Sequence, residues 1–138
     1  MTTINPYLNF NDNCEEAFNL YKSVFGGELR IMRFKDVPSE HAMPESEGNK
    51  IMHMELSIGQ GAILMGSDTP TGMEPPRAGN NVTVAVHPTS EAEATRLFNG
   101  LSAGGQVTMP LDKTFWGAYF GMCIDKFGIH WMVNYQLT

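Results

Sequence analysis

Only two cysteines, Cys14 and Cys123, occur in 138 residues. They form no Cys-x-x-Cys pair and no disulfide framework, so a cysteine-stapled scaffold is excluded and a reducing cytoplasm is the expected location. Basic residues are scarce as well. Nine Lys+Arg stand against fifteen Asp+Glu, a net charge of -6. No nucleic-acid partner is expected, because binding phosphates needs a basic surface. No apolar run approaches the roughly 20 residues of a membrane span, so no membrane partner is expected either. The first residues, Met1-Thr2-Thr3-Ile4-Asn5-Pro6, hold neither a basic stretch nor an apolar run, and no signal peptide is visible. Charged residues are 17 %, too few for a disordered chain, and apolar residues are 42 %, enough for a core. What is there is an acidic globular chain with ten methionines.

Two helices stand out. Asn13 and Glu16 have capping-box spacing, and Cys14, Ala17, Phe18, Tyr21, Val24 and Phe25 follow as one apolar face. Gly26-Gly27 ends that helix. Ser90 with Glu93 repeats the box, Ala94, Leu97, Phe98 and Leu101 form the stripe, and Gly104-Gly105 ends it.

Strands are read from alternation. Leu8 and Phe10 oppose Tyr7, Asn9 and Asn11. Met52, Met54, Leu56 and Ile58 oppose Ile51, His53, Glu55 and Ser57. Residues 62–65 follow the turn Gly59-Gln60-Gly61. Val82, Val84 and Val86 oppose Asn81, Thr83, Ala85 and His87. Phe120, Met122 and Ile124 oppose Tyr119, Gly121 and Cys123, with Cys123 on the side away from the helix. After the turn Asp125-Lys126-Phe127-Gly128, Trp131, Val133 and Tyr135 oppose His130, Met132 and Asn134. Residues 28–35 and 106–111 add one less regular strand each.

The order is β-α-β-β-β twice, an internal repeat. Asn81 follows Tyr7 by 74 positions, and Ala94, Leu97, Phe98 and Leu101 match Ala17, Leu20, Tyr21 and Val24. Residues 36–49, with Pro38, Pro44 and Gly48, read as a long loop. One domain over 1–138 is expected, with modules at about 4–68 and 80–136 and a proline-containing linker over 69–79. A module with one helix covers one sheet face. Two such modules would leave their semi-polar faces lining a cup.

These stretches also resemble a known family. They are Pro6-Tyr7-Leu8-Asn9-Phe10, Asn13-Cys14-Glu15-Glu16-Ala17-Phe18, Phe25-Gly26-Gly27-Glu28, Met52-His53-Met54-Glu55-Leu56 and Met65-Gly66-Ser67-Asp68. Thr114-Phe115-Trp116-Gly117, Phe120-Gly121 and residues 125–134 complete them. In this order they resemble the vicinal oxygen chelate superfamily of glyoxalase I, bleomycin-resistance proteins and extradiol dioxygenases, in its PhnB-like branch. The resemblance implies an α+β fold of two βαβββ modules, a curved cup and a homodimer whose modules swap between chains. It also implies four ligand positions in metal-dependent members, which fall here on Tyr7, Met65, Asn81 and Met132. None suits a hard divalent ion, so no metal and no other cofactor is expected. No glycine-rich loop follows a parallel strand, as a nucleotide-type methyl donor would need.

His53 and Glu55 lie two apart on one strand and point the same way. They form a polar pair, a ligand clamp or an acid–base couple. Met65 and Met132 suit an adaptable apolar floor, with Cu(I) ligation as the alternative. Phe115, Trp116 and Tyr119 can stack on a planar molecule or pack under a loop. Cys123 reads as inert, Cys14 as core, and His41 and His87 as surface residues. The expected binding set is Tyr7, Asn9, His53, Glu55, Met65, Asn81, Thr83, Trp116, Tyr119 and Met132. The function expected is metal-free binding of a small organic ligand. The alternatives are a metal-independent enzyme using His53 and Glu55, and a metal-dependent lyase or dioxygenase with other ligands.

Overall fold

The computed structural model describes residues 2–37, 44–59 and 61–137. The chain divides into two compact units, Met1–Arg77 and Ala78–Thr138. The first holds β1 (Tyr7–Phe10), α1 (Cys14–Phe25), β2 (Glu28–Arg33), a 3-10 turn (Phe34–Asp36), α2 (Glu45–Gly48), β3 (Ile51–Gly59) and β4 (Ala62–Asp68). Its sheet runs β1-β4-β3-β2, with β1 parallel to β4 and the other pairs antiparallel. The second holds β5 (Val84–Val86), α3 (Glu91–Ser102), β6 (Gln106–Lys113), β7 (Ala118–Ile124) and β8 (His130–Gln136). Its sheet runs β5-β8-β7-β6, with β5 parallel to β8. This is the expected βαβββ repeat and an α+β fold.

Each sheet carries its helix on one face because both elements are apolar there. In the first unit Cys14, Ala17, Phe18 and Tyr21 are wholly buried with Met54 and Leu56. In the second, Ala94, Leu97, Phe98 and Leu101 are buried, as are Cys123, Trp131 and Val133. Each fully buried large side chain contributes about 1.5–3 kcal/mol. The two Gly-Gly pairs do more than stop helices. A Cβ on Gly27 would lie 2.1 Å from the Ser57 carbonyl oxygen, and one on Gly105 2.1 Å from that of Ile124. In both units the chain leaving the helix crosses a strand where no side chain fits.

Several local expectations are corrected. Asn13 makes no side-chain cap. Instead Asp68, buried at the end of β4, accepts from the Cys14 N–H at 3.0 Å and the Ile51 N–H at 2.9 Å. A carboxylate from a distant strand thus satisfies the start of α1 and favours its dipole. At α3 the cap does form. Ser90 Oγ accepts from the Glu93 N–H at 3.1 Å, and Glu93 Oε1 accepts from the Thr89 N–H at 3.0 Å, one residue before the box position. Within 36–49 the chain forms α2, tied by Lys50, whose ammonium meets Asp12, Glu47 and Thr71.

Alternation also breaks. Met32 pairs with His53 but Arg33 with Ile51, so a bulge at Met52 turns Ile51 inward, where it is buried. The second unit's first strand starts at Val84, leaving Asn81, Val82 and Thr83 outside it. Strand β8 lies inside its sheet, between β5 and β7, and is not an edge awaiting a partner.

The faces of β7 are the reverse of those expected. A Cβ on Gly121 would sit 2.7 Å from a ring carbon of Phe98, so Gly121 faces α3. Tyr119 meets Thr95 of α3 at 3.2 Å between hydroxyls, and Cys123, of the same parity along the strand, is buried. Phe120 and Met122 therefore take the open face.

Candidate functional site

On the open face of the N-terminal sheet, register sets the neighbours. Tyr7 lies beside Met65, Met65 beside Glu55, and Glu55 beside Arg30, giving one row across four strands. In the next row Asn9 lies beside Ser67, and Met32 beside His53. The opposite faces of β1 and β3 are core: Leu8, Phe10, Met54 and Leu56 are buried. The period of two is what brings a phenol, an imidazole, a carboxylate and a thioether to one face.

Three of these side chains meet. Tyr7 reaches across β4, and its hydroxyl faces His53 Nδ1 at 3.5 Å, with ring centroids 5.8 Å apart. On the other side His53 Nε2 faces Glu55 Oε2 at 3.6 Å. His53 and Glu55 stay 35 % and 24 % exposed at their side chains, so the group is open to a solute. A phenol, an imidazole and a carboxylate in sequence can donate to and accept from a polar ligand, or relay a proton. Met65 lies beside them as an apolar neighbour, and Asn9 as an exposed amide.

The C-terminal sheet presents a different open face. Ala85 pairs with Met132, Met132 with Met122, and Met122 with Met109. The adjoining row is Asn134, Phe120 and Asp112. Trp116 leans on Phe120 at 6.0 Å and 67°, while Phe115 stands almost fully exposed in the β6–β7 turn. Asn134 Oδ1 is buried and accepts no hydrogen bond from the described residues. Such a lone buried acceptor costs about 1–3 kcal/mol.

The expected binding set is thus divided. Tyr7, Asn9, His53, Glu55 and Met65 share one face, and Met132 and Trp116 belong to the open side of the other sheet. Tyr119 is corrected to the helix side, where its hydroxyl meets Thr95. Asn81 is exposed and Thr83 half-buried, both ahead of β5. Met122, Phe120 and Asn134 were missing from the expected set. Gly121 was the signal, since a glycine inside a strand marks close approach of another element and so shows which face is covered. His87 is exposed, and His41 lies outside the described residues.

The register also moves one implied ligand position. Met132 pairs with Ala85 as Met65 pairs with Tyr7, so Ala85, not Asn81, matches Tyr7. A phenol, an alanine with no donor and two thioethers do not fit a hard divalent ion. Among the described residues no three His, Cys, Asp or Glu side chains gather as a metal-binding group. A nucleotide-type methyl donor does not fit either. The residues joining β1 to α1 are Asn11-Asp12-Asn13, with no glycine, and the helix start is taken by Asp68.

The thiols are quiet. Burial first, then the charge of Asp68, holds the Cys14 thiol far above its ordinary range. Burial first, then Asp125, pushes Cys123 up to about 11. Neither is an activated nucleophile.

Comparison with known proteins places this geometry. The profile of the family described as 3-demethylubiquinone-9 3-methyltransferase matches residues 2–134. The chain is similar to protein PA1353 from Pseudomonas aeruginosa, at 42 % identity and TM-score 0.87, with 100 % of both chains covered. It is similar to a PhnB protein from Bacillus cereus, at 25 % identity and TM-score 0.74, covering 97 % of this chain and 99 % of that one. Its fold alone recurs in a glyoxalase/bleomycin resistance protein/dioxygenase from Nocardioides, at 21 % identity and TM-score 0.55, covering 99 % and 85 %. No helix among the described residues is long and apolar enough to cross a membrane. With nearly its whole length matched and its two βαβββ units in place, the chain belongs to the PhnB-like family described as 3-demethylubiquinone-9 3-methyltransferase, and it has the fold of the glyoxalase/bleomycin resistance protein/dioxygenase.

Proposed function

We propose that this protein binds a small organic molecule on the open faces of its sheets, with no metal in the contact. The observation that carries the reading is the Tyr7–His53–Glu55 group. Both nitrogens of the His53 ring face a polar partner, while the ring stays partly exposed and Met65 lies beside both partners, Tyr7 and Glu55. That combination offers hydrogen bonds and an adaptable apolar contact to one solute. Methyl transfer, the reaction in the family's description, needs a donor cofactor, and the start of α1 is not built for a nucleotide-type one.

The test is a mass-spectrometric inventory of small molecules that co-purify with the wild type, His53→Ala and Glu55→Gln. A compound near one per chain, lost in both variants at unchanged thermal stability, is the expected result. Retention in both variants overturns the reading. A second reading, acid–base catalysis by His53 without a metal, draws on the same imidazole–carboxylate contact of 3.6 Å. Conversion of the recovered compound by wild type, abolished in His53→Ala with binding intact, would select it. The reading includes self-association as a homodimer, supported by β1, β2, β5 and β6, which are edge strands among the described residues. Light scattering that returns the mass of one chain at micromolar concentration rules the dimer out.

A further inference from the structure

We propose that the open face of the C-terminal sheet holds a soft monovalent metal ion, Cu(I) by its chemistry, between Met122, Met132 and His130, with Met109 as the third thioether. The site goes beyond the organic-ligand reading, whose carrying group, Tyr7–His53–Glu55, belongs to the other sheet.

Register brings the donors together. Met132 lies opposite Met122, and Met122 opposite Met109, so three thioethers stand in one row on three adjacent strands. Directly opposed side chains are about 4.5–5.5 Å apart at Cβ, and long, unbranched methionines can turn their sulfurs to one point. His130 stands two residues before Met132, with the buried Trp131 between them, so its ring shares the open face. Its direct partner is Ile124, which puts it diagonal to Met122. Diagonal neighbours, about 7–8 Å apart, are within reach of side chains of this length. The row is open to solvent. Met122 and Met132 are half-buried, and Met109 is exposed.

The His130 ring is the second, independent sign. It is half-buried, yet it makes no hydrogen bond or ion pair with the described residues. His53 is the contrast, since both its nitrogens face polar partners. A neutral imidazole left in this way has a nitrogen lone pair to give, and its neighbours on the face are sulfurs.

The donor set selects the metal. Thioethers are soft, uncharged ligands that favour Cu(I), and imidazole also suits copper. The row offers neither the carboxylates that Mg or Mn take nor a thiolate, since Cys123 is buried with the helix-side parity. Charge favours a cation. Asp112 lies in the adjoining row, and the chain carries a net charge of -6. That same row holds Phe120, against which Trp116 leans, so aromatic rings border the thioethers on the side away from His130. The chemistry is coordination alone, with no electron transferred.

The experiment uses the full chain labelled with 13C at the methionine methyls and 15N in the histidine rings. It is titrated in chloride-free buffer with Ag(I), a redox-inert soft ion that stands in for Cu(I), and separately with Zn(II). The Met122 and Met132 methyls and the His130 nitrogens are expected to shift together with Ag(I) and level off at about one ion per chain. Met54, in the core, should stay in place, and Zn(II) should leave all these signals unmoved. Met122→Leu/Met132→Leu keeps the volume and should weaken Ag(I) binding by about 10–100-fold, no less than losing a ligand's supporting shell costs. The Met54 signal reports an intact core in that variant. The proposal is overturned if any of the Met122, Met132 or His130 signals stays put under excess Ag(I). It is also overturned if Zn(II) moves them equally, or if the folded double variant binds Ag(I) as tightly as wild type. The wild-type shifts decide the case even where the variant fails to fold.

Discussion

Trp131 donates its indole N–H to Asp125 Oδ2 at 2.8 Å, and both side chains are buried. The other oxygen of Asp125 accepts from the Phe127 and Ile129 N–H groups at 2.8 and 3.0 Å. One carboxylate therefore holds the β7–β8 turn and anchors the largest core side chain of its sheet. A buried carboxylate is tolerable only because its lone pairs are met this fully.

Asp125→Ala leaves one buried and two partly buried donors without this acceptor. It should destabilise the protein by about 2–4 kcal/mol, and Asp125→Asn, which keeps one acceptor oxygen, by clearly less. Urea unfolding followed by tryptophan fluorescence measures both. A loss under about 1 kcal/mol for the alanine variant contradicts the assignment.

Asp68 and Asn13 separate a real cap from an apparent one. Asp68→Ala strips acceptors from the Cys14 and Ile51 N–H groups and should cost about 2–3 kcal/mol. Asn13→Ala removes no side-chain cap bond, and its cost should stay below about 0.5 kcal/mol. Similar losses in the two variants would return the capping role to Asn13.

Gly105→Ala tests the strand crossing by sterics alone, because the Cβ would meet backbone of Ile124 and Asp125. We expect about 2–3 kcal/mol of destabilisation. Gly61→Ala is the control. Its φ is +78° but nothing lies within 4 Å, so only the left-handed backbone is penalised, by about 1 kcal/mol. Thermal unfolding of the pair should rank them in that order.

The cysteines should resist iodoacetamide at pH 8 in the folded protein and react once it is unfolded. The linkage has a definite sign. The thiol of Cys123 rises from 9.0 to about 11 on folding, so the folded state binds its proton more tightly. This contribution to stability is present below pH 9.0 and is lost as pH climbs towards about 11. Denaturation midpoints across that window check the fall, and rapid alkylation of native Cys123 at pH 8 would contradict its burial.

Legibility followed the range of the interactions. The stripes of α1 and α3 and the alternation of His53, Met54, Glu55 and Leu56 were readable, because a helix or strand repeats its environment every 3.6 or 2 residues. Tyr7, His53 and Glu55 were expected on one face, and the described geometry brings them within 3.5–3.6 Å of one another in sequence. Ile51 escaped that rule, since one extra residue at Met52 shifts parity and nothing local announces it.

Local chemistry could name Ser90 as a cap, because its target is three residues away. It could not name Asp68, whose target at Cys14 is 54 residues away. Pattern alone likewise assigned the faces of β7 the wrong way round. Both Phe120-Met122 and Tyr119-Cys123 are apolar enough to be covered, and the choice fell to Gly121, whose missing side chain lets Phe98 approach. Periodicity is a property of a segment and survives in the sequence. Which face is covered, which register a short strand such as Val84–Val86 adopts, and which carboxylate meets a helix end are properties of pairs brought together by folding. They depend on the shapes and hydrogen bonds of partners that the chain order keeps apart.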